Sequence, residues 1–152
     1  DTFMFEGHDT TGWAIAWSLY QLGVFPDIQA KVHEELDLVF QGDMTRHTTA
    51  EDIKNLTYFD RVLRECQRLN GPVPSVSRKC TVDGASLGEY RIPKGATVAI
   101  AIRHLHRDPK VFPDPEKFDP DRFLPENSKG RHPYSYIPFS AGTRNCIGQK
   151  IA

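Results

Sequence analysis

The sequence predicts a mainly α-helical fold with a small β component. Three observations carry that expectation. Apolar residues recur at helical spacing through most of the first 70 positions, one short segment near position 100 alternates with β-branched residues, and prolines crowd the stretch that follows.

Thr2 to Leu22 is rich in helix formers and aromatics and is apolar on most of its surface, so it reads as a buried helix ended by Gly23 and Pro26. From Asp27, the positions Ile28, Val32, Leu36 and Val39 repeat at helical period between Lys31, Glu34, Glu35 and Asp37, which describes an amphipathic surface helix. A polar loop runs from Gln41 to Thr49. Phe59, Val62, Leu63, Cys66 and Leu69 form a second apolar stripe, stopped by Gly71, Pro72 and Pro74. Short strands follow, with turn signals at Asp83-Gly84 and Pro93-Lys94-Gly95, and Thr97 to Ile102 is the best strand candidate. From His106 to Pro138 lie Pro109, Pro113, Pro115, Pro120, Pro125, Pro133 and Pro138, which forbid long helices and inner strands. Interleaved Phe112, Phe118, Phe123, Tyr134 and Tyr136, with Phe139 just beyond, argue for an ordered, packed coil there rather than a disordered one.

Composition narrows the possibilities. The 152 residues are 39% hydrophobic and 26% charged with a net charge of -1, a globular balance that gives no electrostatic reason to expect nucleic acid as a partner. Cys66, Cys80 and Cys146 are an odd set without motif spacing, which disfavours a disulfide framework and a structural zinc site. No run of about 20 apolar residues is present to span a bilayer.

The densest chemical signal lies near the end, in Phe139-Ser140-Ala141-Gly142-Thr143-Arg144-Asn145-Cys146-Ile147-Gly148. Gly142 and Gly148 let the backbone wrap closely around the cysteine. Gln149 to Ala152 reads as a helix start, whose free N–H groups and positive dipole end favour a thiolate. Phe139 would limit water access to that sulfur. Upstream, Glu65 and Arg68 stand three apart, on one face of a helix, and Pro120-Asp121-Arg122-Phe123 follows within the coil. At the front, Glu6, Asp9, Thr10 and Trp13 fall on one face of the first helix. An acid, Gly7 and two threonines are costly in so apolar a helix unless they have a task there.

The cysteine segment resembles the haem-binding loop of the cytochromes P450, F-x-x-G-x-R-x-C-x-G, at every fixed position. The family's other motifs occur in the right order along the whole chain. The resemblance implies a partial cytochrome P450 fold, running from the I helix to the start of the L helix. Residues 1–152 are then the C-terminal part of a single domain, incomplete at both ends. It implies haem b as cofactor, with Cys146 as the axial ligand of the iron and Arg144 and Arg78 on the propionates. The sequence departs from the family before Val73-Pro74, where it has Asn70-Gly71-Pro72 in place of a proline pair. Glu65, Arg68 and Arg122 correspond to a buried Glu-Arg-Arg network that holds the cysteine loop in place. Gly7 and the Thr10 hydroxyl would open the I helix locally, and Asp9 and Thr10 would relay protons during dioxygen activation. His106, in His106-Arg107-Asp108-Pro109, is read as structural.

Phe3-Met4-Phe5-Glu6-Gly7-His8-Asp9-Thr10-Thr11 is similar to family 4 of the cytochromes P450, whose members with this glutamate can bind haem covalently through an ester. The implied activity is monooxygenation of a lipophilic substrate, a fatty acid hydroxylated at or near its end. Electrons would come from NADPH-cytochrome P450 reductase, with cytochrome b5 as a second donor. The implied place is the cytoplasmic face of the endoplasmic reticulum membrane, reached through an N-terminal anchor outside these residues. Two alternatives stand beside this reading. One is a peroxide-rearranging haem-thiolate enzyme of the same superfamily, which Asp9 and Thr10 disfavour. The other is a non-catalytic binding protein, which haem absorbance would exclude.

Overall fold

The computed structural model describes residues 2–43 and 45–151. Met44 of the expected loop and Ala152 of the expected terminal helix start lie outside them. Four helices come first: α1 (Thr2–Val24), α2 (Pro26–Phe40), α3 (Ala50–Asn55) and α4 (Thr57–Asn70). Pro26 occupies the first turn of α2, where its missing N–H costs nothing. Two small antiparallel pairs follow. β1 (Val76–Lys79) pairs with β4 (Thr97–Ile100), and between them β2 (Ser86–Leu87) pairs with β3 (Tyr90–Arg91). A short helix α5 (Ile102–Leu105) leads into the proline-rich coil. The coil contains a 3₁₀ turn at Pro120–Phe123, the single turn α6 (Pro125–Ser128) and a second 3₁₀ turn at Pro133–Ser135.

The core forms where α1, α2 and α4 converge. Val32, Val62, Cys66, Leu69 and Phe118 are buried together, with Leu22, Phe25, Ile28, Leu36, Tyr58 and Phe59 packed around them. Phe118 from the coil stacks on Phe25 at 5.0 Å, so the coil is part of the core rather than a strap over it. Gln21, buried in α1, donates to Asn70 Oδ1 at 2.6 Å and fixes α1 against the end of α4.

Both ends of α4 are secured by other elements. At its start Glu35 of α2 accepts from the N–H groups of Tyr58 and Phe59 at 2.7 and 2.8 Å, satisfying donors that a helix N-terminus leaves free. At its end Arg107 donates to the carbonyl of Leu69 at 2.6 Å. The helix that carries Glu65 and Arg68 is thus held at both ends before those residues are considered.

Three expectations are corrected here, and one element is added. The first helix is not buried in this chain: Phe3, Met4, Phe5, Trp13 and Leu19 are exposed, because the elements described here cover only its C-terminal half. The strand expected through Ile102 ends at Ile100, and Ile102 instead turns into α5 and is buried. β-branched composition marks a strand but not its end. The expected helix start after the cysteine is a set of turns, with Ile151 N–H bonded to the Gly148 carbonyl at 2.8 Å. That bond spans three residues, the spacing of a 3₁₀ turn rather than of an α-helix. The added element is α3, which no apolar stripe announces. Its signal is the Thr49–Asp52 capping box, in which each side chain bonds the other's backbone N–H.

Gly71, which caps α4, has no room for a side chain: a Cβ there would sit 2.6 Å from the backbone oxygen of Gln67. Gly71→Ala is expected to cost about 1–3 kcal/mol of stability, the usual cost of forcing atoms into a packed site. A denaturant titration of the full-length protein checks this, and an unchanged midpoint would contradict it.

Candidate functional site

Glu65 and Arg68 lie one helical turn apart on the coil-facing side of α4 and are 0% and 1% exposed. Arg68 grips Glu65 with two parallel bonds, Nε to Oε2 at 2.7 Å and Nη2 to Oε1 at 2.8 Å. Glu65 Oε1 also accepts the Asp119 N–H at 2.9 Å, and Arg122 Nε lies 3.4 Å from it. The remaining arms of the two arginines bind backbone oxygens. Arg68 reaches His106 and Lys117, and Arg122 reaches Pro113 and Asp114. The carbonyls that an irregular coil cannot pair within itself are therefore satisfied by arginine forks.

Three further residues join this cluster that the sequence did not single out for it. Phe112, fully buried, has the Arg68 guanidinium at 5.3 Å and the Arg131 guanidinium at 4.7 Å from its ring centre. Arg131 also donates to the Arg122 carbonyl at 3.0 Å. Burial pulls Arg131 below the usual arginine value, and the neighbouring Arg122 adds to that. Tyr136 donates to the Arg64 carbonyl at 3.0 Å, tying the segment before the cysteine loop to α4, and its burial pushes the phenol above its usual range. The Arg-aromatic spacings are not periodic, so no sequence pattern announces them.

From this cluster a line of bonds runs to the cysteine. The His106 carbonyl accepts from Arg68 Nη1 at 2.9 Å, and the His106 ring Nε2 accepts the Ile137 N–H at 2.9 Å. The Ile137 carbonyl accepts the Ser140 N–H at 3.0 Å, and the Phe139 carbonyl accepts the Cys146 N–H at 2.9 Å, closing the loop. Gly142 within it has φ of +83°, a left-handed conformation that side chains disfavour. Gly148 is different. A Cβ there would stand 3.8 Å from the Cys146 sulfur, an ordinary contact, so the expected close wrap does not by itself require glycine at 148.

All three cysteines are free, and Cys146 is the exposed one. Cys66 is buried, and burial pushes its thiol up to about 11, which makes it inert at neutral pH. Phe139 is half-buried behind the loop. Arg78, on β1, reaches across 66 positions of sequence to the Arg144 carbonyl at 3.4 Å, so β1 lies against the loop. The Arg144 guanidinium is exposed and makes no hydrogen bond among the described residues. An accessible sulfur on a loop that carries one arginine and touches a second fits a group that offers a soft metal centre together with carboxylates.

The front helix behaves differently from expectation. α1 runs through Gly7 without a break, and the Thr10 hydroxyl bonds the Glu6 carbonyl at 2.7 Å instead of opening the helix. A threonine hydroxyl bonded back one turn shares the helical acceptor rather than removing it. Asp9 pairs with its neighbour His8 at 2.8 Å and not with Thr10. Glu6 and Asp9 are exposed and Thr10 half-exposed, and no hydrogen bond among the described residues links them to the cysteine loop.

The cytochrome P450 family model matches residues 1–152. The chain belongs to the cytochrome P450 family. It is 57% identical to Cytochrome P450 4V2 of Mus musculus, over 100% of this chain and 29% of that protein. It is 56% identical to Cytochrome P450 4V2 of Homo sapiens, again over 100% of this chain and 29% of that protein. It is 49% identical to Cytochrome P450 4c3 of Drosophila melanogaster, over 100% of this chain and 28% of that protein. The family 4 names agree with the resemblance drawn from the segment around Glu6. Among solved structures, "Retinoic acid bound cyanobacterial CYP120A1" superposes with a TM-score of 0.87 at 35% identity, covering 98% of this chain and 34% of that one. The P450 fold is therefore shown for a chain that spans less than a third of the length of these curated relatives.

Arg68→Ala is expected to remove about 3–5 kcal/mol of stability, because it leaves Glu65 as a buried charge without its main partner. Arg68→Lys, which keeps the charge but loses the fork, should fall between that variant and the wild type. Equilibrium unfolding of the full-length protein measures both. A loss below about 1 kcal/mol for Arg68→Ala, the worth of a surface pair, would contradict the buried-network account.

Proposed function

We propose that the protein carrying this chain is a haem-dependent monooxygenase that inserts one oxygen atom of dioxygen into a C–H bond of a lipophilic substrate. The observation that carries the reading is the exposed Cys146 on a braced loop that also carries Arg144, with Arg78 of β1 bonded to the loop at the Arg144 carbonyl. Cys146 would hold the haem iron, and Arg144 and Arg78 the propionates. Phe139 would keep water from the sulfur, and the Gly142 turn would present it. Glu65, Arg68 and Arg122 would keep the loop at a fixed height. Bound haem supplies the electronic means of activating dioxygen. The Cys146 thiolate would donate electron density to it, and Thr10 and Asp9 would hand on protons. One oxygen atom enters the C–H bond and the other leaves as water, at a cost of two electrons and two protons.

The finer reading is a family 4 fatty-acid hydroxylase acting at or near the chain end. It is supported by the family 4 relatives and by the position of Glu6, one helical turn before Thr10. Glu6 would form an ester to the haem, making the pocket rigid and narrow so that a chain terminus is oxidised ahead of weaker internal C–H bonds. Electrons would come from NADPH-cytochrome P450 reductase, with cytochrome b5 as a second donor. The setting would be the endoplasmic reticulum membrane. No described helix of this chain is long and apolar enough to cross a membrane, so the anchor would be supplied by residues outside it.

Two experiments test these readings. In the full-length protein, the reduced carbon-monoxide complex should show the red-shifted band of thiolate ligation. Cys146→Ser should abolish that band, while Cys66→Ser and Cys80→Ser should keep it. A band that survives Cys146→Ser would defeat the assignment. For Glu6, haem should travel with the denatured protein on acidic chromatography after turnover, and Glu6→Ala should free it. Complete dissociation from the wild type after prolonged turnover would defeat the ester.

A further inference from the structure

His106 has no part in the chemistry proposed above, yet it is 1% exposed and its carbonyl and ring Nε2 both accept hydrogen bonds. Its carbonyl takes Arg68 Nη1 at 2.9 Å, and its ring Nε2 takes the Ile137 N–H at 2.9 Å. Nε2 can accept only in the neutral ring with the proton on Nδ1. Ile137 stands two residues before Phe139, whose carbonyl closes the cysteine loop on the Cys146 N–H. The ring lies 5.0 Å from that of Tyr136, which is itself bonded to α4. His106 is thus the joint between the arginine network and the segment that enters the loop.

We propose that His106 is a positioning residue for the thiolate: as a neutral acceptor it hooks the Ile137 N–H, and its protonation in acid unhooks the cysteine loop. This rests on Cys146 being the haem ligand. A protonated ring would point an N–H at an N–H and leave the Ile137 amide as a part-buried, unpaired donor. The surroundings offer the cation little relief. From α4, Arg68 faces the ring, and Glu65, the carboxylate of that cluster, is already engaged by Arg68 and Arg122. From its own segment come Arg103, on the same small cavity, and Arg107, which Glu116 pairs. From the loop side comes Tyr136, whose phenol is held neutral by burial. Desolvation first, then Arg68 and Arg107, lower the His106 value from 6.5 to about 4. The native value lies below the unfolded one, so the hook is at full strength above pH 6.5 and is lost as pH falls through about 4.

The experiment follows the carbon-monoxide band of the reduced full-length protein against pH, with far-ultraviolet dichroism recorded on the same samples. In the wild type, the red-shifted band should give way in acid to the band of a neutral or lost thiolate before helix content falls. His106→Gln offers a carbonyl acceptor that does not titrate in this range. It should keep the red-shifted band at neutral pH and move the acid midpoint down by at least about half a pH unit, as expected when one linked proton is removed. His106→Ala lacks the acceptor and should show a reduced red-shifted fraction at every pH. Superimposable acid profiles for the wild type and His106→Gln would overturn the proposal, and so would an undiminished band in His106→Ala. If His106→Ala does not fold, the comparison between wild type and His106→Gln decides alone. A wild type with no red-shifted band at neutral pH would instead refute the haem-thiolate reading beneath it.

Discussion

One carboxylate organises this molecule. Glu65 is fully buried, and an unpaired charge there would cost several kcal/mol in lost hydration. It is tolerated because Arg68 meets it with two parallel bonds, the Asp119 N–H with a third, and Arg122 Nε with its charge. The pair itself adds little net stability, since its attraction mainly offsets desolvation, whereas breaking it is expensive. That asymmetry explains why such a feature suits a device for position. Any displacement of the coil from α4 exposes the full cost of the stranded charge.

The positive charge around Glu65 exceeds one carboxylate, because Arg68, Arg122 and Arg131 all reach the cluster. Backbone carbonyls of His106, Lys117, Pro113, Asp114 and Asn127 absorb the excess, together with the face of Phe112. A proline-rich coil has many carbonyls and few N–H groups to pair them, so arginine forks and irregular backbone are matched by chemistry. Position then passes from Arg68 through His106 to Ile137 and the loop. The cysteine is exposed and glycine-flanked, and its place depends on bonds made well away from it.

Much of this was legible in the sequence. The stripes on α2 and α4 gave the core, because period is a property of the sequence itself. The ten-residue cysteine pattern and Glu65-x-x-Arg68 marked the site and its support. What escaped depended on tertiary placement. The cation stack on Phe112, the Tyr136 bond to α4 and the His106–Ile137 hook join residues 19 to 72 positions apart, with no period to betray them. α3 has only its capping box to mark it in the sequence, since six residues carry no stripe. The apolar surface of α1 does not fix its burial, because an apolar helix is buried only where something covers it, and these elements cover one end.

Hydrogen exchange at single amides tests the organising role of Glu65 most directly. In Glu65→Gln full-length protein, the Asp119, Ile137 and Cys146 amides should exchange at least about tenfold faster than in the wild type, a loss of roughly 1.4 kcal/mol in local protection. The amides of α2, on the far side of the core, should be unchanged. A Cys146 amide that exchanges at the wild-type rate in that variant would mean that the cysteine loop holds its place without the buried network.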